Sequence, residues 1–223
     1  MRCWASFAAS AALALACAAP AAATPVGDFA RATNAFLDAR RAAGCAAQAA
    51  AQRRRDAVAQ QCLDVFQAAP PANRELLGVA YDVDVTAGLL EVEGPVYRGF
   101  LDRLERLRLR SEPELMRARR LLRGQVAFLG LVPLVFDDAC TTARAWQAAG
   151  WRTPPRSIRI FHRLATLSDA VDENLDAASR VLARAGHRRA ARAALDDFTL
   201  PDSVIERAGD PVRCALDPEG CHG

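Results

Sequence analysis

Residues 156–185 read RSIRIFHRLATLSDAVDENLDAASRVLARA. Ser157, Phe161, Leu164, Ser168, Val171, Leu175, Ala178, Leu182 and Ala185 recur in alternating steps of four and three. An α-helix turns through about 100° per residue, so this spacing lays them along one side. Gly186 supplies the stop. The segment predicts a long amphipathic helix whose seam packs against neighbouring helices.

The same period extends toward the N-terminus. Phe29, Thr33, Phe36 and Arg40 predict a first helix closed by Gly44, and a second spans about Cys45 to Ala68, stopping at Pro70-Pro71. Asn73 is read as the cap of a third, which carries Leu77, Tyr81, Val85 and Val92 and ends at Gly94-Pro95. Residues 96–110 predict a fourth, with Phe100, Leu104 and Leu107 inward and Asp102/Arg106 and Glu105/Arg108 pairs outside. Ser111-Glu112-Pro113-Glu114 has the composition of a capping box with Pro in the first turn. The apolar run from Val126 to Phe136 is too short to cross a bilayer. It predicts a buried central helix, kinked near Pro133 and continuing to Trp146. Trp151 to Pro155 reads as a loop. Beyond Gly186 come a short basic helix (His187 to Asp197), one turn after Pro201 and an irregular tail.

Residues 79–93 carry a competing signal. Val79 to Thr86 alternates as a strand does, and Leu90-Glu91-Val92-Glu93 echoes it. A hairpin would set Asp82, Asp84, Glu91 and Glu93 on one face, where like charges repel unless a cation such as Ca²⁺ sits among them. Helix is therefore the reading taken. The expected fold is all-α, a single-domain bundle of five to seven helices with short Pro/Gly loops over residues 24–209. A disulfide-bearing tail follows at 210–223.

Residues 1–23 have a different character. One charge, Arg2, precedes an apolar stretch from Phe7 to Ala19, and Ala21 and Ala23 suit a signal peptidase. The expectation is a cleaved signal peptide, with no transmembrane span in the mature chain and a secreted or extracytoplasmic destination. A rival reading makes Cys17 the lipid-bearing end of a lipoprotein, although Ala14 stands where a bulky aliphatic residue is usual.

An exported chain meets oxidising conditions, which favours disulfides among Cys45, Cys62, Cys140, Cys214 and Cys221. Between Cys45 and Cys62 there is neither Gly nor Pro. On one helix they stand about 25 Å apart, far beyond the roughly 7 Å a disulfide allows. Cys62 with Cys140 would join two helices, Cys214 with Cys221 would close a turn, and either tail Cys could reach Cys45. A buried thiol is the plain alternative for Cys140.

Every one of the 29 basic residues is Arg, and the net charge is only +3. Ala, Arg and Gly without Lys follow from GC-rich, bacterial coding, and so small a net charge argues against a nucleic-acid partner. Arg53-Arg54-Arg55 should spray outward from a helix. Arg119/Arg123 and Arg188/Arg192 each share a face; the Arg184–Arg192 region is a candidate anion-binding surface, against the simpler reading of a solvated, solubilising one.

Carboxylates at Asp169, Asp172, Glu173 and Asp176 lie three and four residues apart. They form a candidate Ca²⁺ or Zn²⁺ site, against the simpler reading of a solvated face balanced by Arg159, Arg163 and Arg180. Zinc held by Cys45, Cys214, Cys221 and His222 fits no common module, and six residues between Cys214 and Cys221 exclude covalent haem. No His-Glu-x-x-His, Gly-x-Ser-x-Gly or phosphate-cradling Gly loop occurs. The expected function is non-enzymatic and cofactor-free: an interaction or structural module of the envelope or extracellular space, contacting an envelope protein or itself. The alternative is a metal-dependent protein using the Asp169–Asp176 carboxylates.

Overall fold

The computed structural model describes residues 24–165, 169–196 and 210–218. All regular structure among them is helical, and the all-α expectation holds. The leader (1–23), the turn after Pro201 and the pair Cys221 and His222 lie outside the described residues.

The first helix, α1, runs unbroken over Pro25–Gln61. Thr24 caps it by accepting from the Gly27 N–H at 3.1 Å, Pro25 opens it, and Asp28 sits in the positive first turn. Gly44 does not end it as expected. Glycine costs a helix interior only about 1 kcal/mol relative to alanine, and the Ala-rich flanks carry the helix through. It breaks instead at Cys62, whose φ of −150° leaves the helical region. The short α2 (Leu63–Gln67) and a single 3-10 turn (Pro71–Asn73) follow.

Next comes α3 (Arg74–Glu105), which makes the most extensive contact with α1. Residues 79–93 lie inside it, so the hairpin is excluded. The break expected at Gly94-Pro95 is also absent. Pro95 lies on the exposed side, where the hydrogen bond it forfeits to Glu91 costs least. Gly88 brings the two helices together: a Cβ there would stand 2.9 Å from the Ala50 carbonyl oxygen and closer still to Arg54. Asn73 does not cap α3 with its side chain; its amide donates to the Trp151 carbonyl at 2.9 Å and anchors that distant loop.

In α4 (Pro113–Val135), Glu112 occupies the cap position with no side-chain bond, and the expected capping box does not form. A turn closed by the Glu112 N–H on the Leu109 carbonyl, with Leu109 buried, holds Ser111 ahead of the helix. Nor is the Val126–Phe136 run central. Leu122 and Val132 are buried, but Leu131 and Leu134 are 51% and 77% exposed, as befits a helix on the flank. The chain does not continue helically to Trp146. Phe136 is extended, and Asp138 starts α5 (Ala139–Ala148) by accepting from both the Thr141 N–H and its hydroxyl at 2.7 Å.

Two helices close on glycine. At the end of α5 the Gly150 N–H bonds to Gln147 and the Trp151 N–H to Trp146. At the end of α7 (Asp169–Arg184) Gly186 bonds to Ala183 and His187 to Leu182. Both glycines have positive φ, as this double closure requires. Helix α6 spans Arg156–Ala165 and packs on α3, with Ile158 and Phe161 buried. Within α7, Leu175, Ala178 and Leu182 of the seam are buried. The junction at 166–168, and so the continuity of the expected 156–185 helix, lies outside the described residues.

The last elements are α8 (Arg188–Asp196) and α9 (Pro211–Leu216). The start of the tail is thus helical and not irregular. Asp210 caps α9 through the N–H groups of Val212 and Arg213. One apolar cluster surrounds Phe66, Tyr81, Trp146 and Ile158; the other surrounds Phe29, Phe36, Phe100, Leu115 and Leu182. Both are strung along α1 and α3.

Candidate functional site

Leu37, Arg40, Arg41, Gly44 and Gln48 recur at helical intervals along one side of α1. With Glu93 of α3 and Arg188, Arg189, Arg192 and Ala193 of α8 they line an open groove of about 600 Å³. Its floor is an ion pair. The Arg40 Nε donates to Glu93 Oε2 at 3.1 Å, both side chains nearly buried, and the Arg40 guanidinium lies over the Tyr97 ring at 5.7 Å. At the rim Arg189 pairs with Asp38, and that hydrogen bond holds the exposed Asp38 carboxyl below its ordinary range.

Arg41, Arg188 and Arg192 are exposed and form no ion pair among the described residues. They stand on two facing helices, and the rim carboxylate Asp38, within electrostatic reach of Arg41, is hydrogen-bonded to Arg189. The lining offers no Ser, Thr, Cys or His, and its one carboxylate is engaged by Arg40. Such a surface can hold an anion but supplies no nucleophile. The sequence placed Arg188 and Arg192 on a shared face correctly. It missed the opposite wall, although the 37/40/41/44/48 spacing was there to read.

Other Arg clusters are consumed by structure. The Arg53–55 triplet does not simply face solvent: Arg55 is buried with its Nη1 3.8 Å from Asp210, and Arg54 pairs with Asp84 and Glu91. The Glu91 bond pushes the Arg54 pKa up. Arg119 donates to the Leu104 carbonyl in the last turn of α3 and to the Leu107 carbonyl just beyond it. Arg123 pairs with Glu105, which takes that residue from its expected partner Arg108. Arg106 bonds to the Asp102 carbonyl and not to its carboxylate.

The metal readings fare differently. On α3, Asp84 and Glu91 share Arg54 while Asp82 and Glu93 go to Arg213 and Arg40, so the four-carboxylate Ca²⁺ hairpin does not exist. Asp176 is exposed, 4.0 Å from Arg180. The side chains of Asp169, Asp172 and Glu173 lie outside the described residues. Among the described residues no three His, Cys, Asp or Glu side chains gather to hold a metal. Cys62 and Cys140 form the expected interhelix disulfide, with Cα atoms 5.6 Å apart. Cys45 and Cys214 are disulfide-bonded too, which removes both as zinc thiolates.

A second polar cluster pins α9 to the bundle. The Tyr81 hydroxyl donates to Asp210 at 2.6 Å, and Arg213 pairs with Asp82. Burial, then the Asp210 bond, pushes the Tyr81 hydroxyl far above its usual range, and burial pulls the Arg213 pKa down. Tyr81 stays protonated and acts as a clasp.

No protein-family model matches this chain, and neither a curated protein nor a solved structure matches it. The site speaks through its own chemistry.

Proposed function

We propose that the protein is an exported, non-catalytic binding module of the envelope or extracellular space, and that its ligand is anionic. One observation carries this reading: Arg41, Arg188 and Arg192 line one groove, and none of them forms an ion pair among the described residues. Guanidinium groups bind phosphate and carboxylate in a planar, bidentate geometry, and a lining without a nucleophile suits retention more than turnover. The disulfide between Cys62 and Cys140 fits an oxidising compartment. No helix among the described residues is long and apolar enough to cross a membrane.

Calorimetric titration of the purified protein with inorganic tripolyphosphate at low ionic strength tests the reading. Binding should weaken at least tenfold in the Arg188→Gln/Arg192→Gln double variant and fade as salt is raised. The absence of binding, or equal binding by the variant, would overturn it. Secretion is tested separately by fractionating cells that express the full chain; mature protein confined to the cytosol defeats that part of the proposal.

A further inference from the structure

The groove's two walls say what kind of anion it takes, an inference that rests on the reading above. Arg188 and Arg192 are four residues apart on α8, one helical turn, so their side chains stand beside each other at about 6 Å. Arg41 stands on α1, the other wall, with Gln48 two turns further along. The space between them is about 600 Å³, within the ~300–1,000 Å³ that holds drug-sized ligands and well beyond the need of a single small anion. Three guanidiniums that form no ion pair among the described residues, with only Asp38 in electrostatic reach of Arg41, also carry more charge than one phosphate group neutralises at neutral pH.

The floor narrows the choice further. Glu93 is buried there with its carboxylate on Arg40. An anion driven to the bottom of the groove would meet that negative charge and compete with it for Arg40, whereas an anion lying higher meets the arginines of the walls, the rim carboxylate Asp38 being held by Arg189. The favourable position is lengthwise, bridging α1 and α8.

We propose that the groove binds an oligoanion, a ligand carrying two or more phosphate or carboxylate groups in series, with one group on Arg188 and Arg192 and the next on Arg41. Binding ties α8 to α1 beside the existing Arg189–Asp38 contact. The same chemistry is presented by a soluble polyphosphate or polycarboxylate chain and by adjacent headgroups of an anionic lipid surface.

Calorimetry with tripolyphosphate, orthophosphate and citrate tests the proposal, with circular dichroism to show that each variant is folded. Tripolyphosphate should bind at least a hundredfold more tightly than orthophosphate, with citrate between them. Arg41→Gln should remove most of that advantage while leaving orthophosphate affinity within about twofold. Equal affinity for tripolyphosphate and orthophosphate in the unaltered protein overturns the oligoanion inference but leaves an anion site intact; absence of binding to all three overturns the anion site itself. Phosphatidylglycerol vesicles resolve the source. Co-sedimentation displaced by tripolyphosphate marks a lipid surface, and tripolyphosphate binding without co-sedimentation marks a soluble chain. Both support a ligand spanning two walls. Vesicle binding that tripolyphosphate fails to displace overturns it.

Discussion

The Tyr81 hydroxyl donates to the Asp210 carboxylate at 2.6 Å, joining residues 129 apart in sequence inside the protein. Asp210 also caps α9 and lies 3.8 Å from Arg55 Nη1, so one buried carboxylate gathers α1, α3 and α9. Tyr81→Phe leaves the cap in place but removes the hydroxyl. A hydrogen bond to a charged group contributes about 1.5–3 kcal/mol, and urea unfolding at neutral pH should show a loss of that order. The folded protein holds this hydroxyl above its ordinary value of 10.0, so above pH 10 the unfolded chain releases a proton that the folded one keeps. Stability should therefore fall as pH rises beyond 10, and less steeply in Tyr81→Phe.

Asp138 makes the opposite prediction at the acid end. Burial works to raise its pKa, but hydrogen bonds from the Thr141 N–H and hydroxyl and from the Asp138 and Cys140 N–H groups together hold it below the ordinary 3.8. From about pH 3.8 downward the unfolded chain binds the proton more readily, so the capping contribution is present above that pH and lost as pH falls through the lowered native value. Asp138→Ala should cost about 1 kcal/mol at neutral pH and should remove this part of the acid slope in a series of melting curves. Asp84, whose pKa is raised chiefly by burial, has the reverse sign: its carboxyl weakens the fold as pH climbs from 3.8 through its native value.

The Cys62–Cys140 bridge closes a separation of 78 residues between the α1–α2 bend and α5. Cross-links of this kind stabilise by about 2–4 kcal/mol, chiefly through the unfolded chain. The Cys62→Ser/Cys140→Ser variant should show a lower denaturation midpoint with an altered m-value, since its unfolded state is freer to expand.

Gly88 and Gly99 both lie within α3 yet should respond oppositely to alanine. A methyl at Gly88 would press on Arg54 and the Ala50 backbone, whereas nothing stands within 4 Å of one at Gly99. Gly88→Ala should cost about 1–3 kcal/mol through overpacking. Gly99→Ala should gain about 0.4–1 kcal/mol by restricting the unfolded chain. Thermal unfolding of the pair measures both, and a stabilised Gly88→Ala would contradict the close approach of α1 and α3.

Helical periodicity was legible because it is a relation between residues three and four apart, which the bare chain displays. Leu175, Ala178 and Leu182 are buried, and Gly186 ends its helix, for that reason. Breaks were less legible. Gly44 and Gly94-Pro95 carry the residues of helix ends, yet both sit inside helices because burial along α1 and α3 outweighs a local cost of a few kcal/mol. The run from Val126 to Phe136 shows the converse error: strong hydrophobicity suggested burial, but Leu131 and Leu134 face outward on a helix with neighbours on only part of its surface.

The sequence by itself determined that this chain is helical, that Cys45 and Cys62 stand too far apart to pair, and that Arg188 and Arg192 share a face. Only the tertiary structure decided which arginines are spent on partners and which are left over. Arg55 and Arg54 find carboxylates on other elements, while Arg41 and Arg192 line a groove and form no ion pair among the described residues. Local spacing fixes the direction of a side chain around its own axis. The partner it reaches depends on how separate helices pack, and burial of their apolar faces sets that packing without regard to where the charges fall.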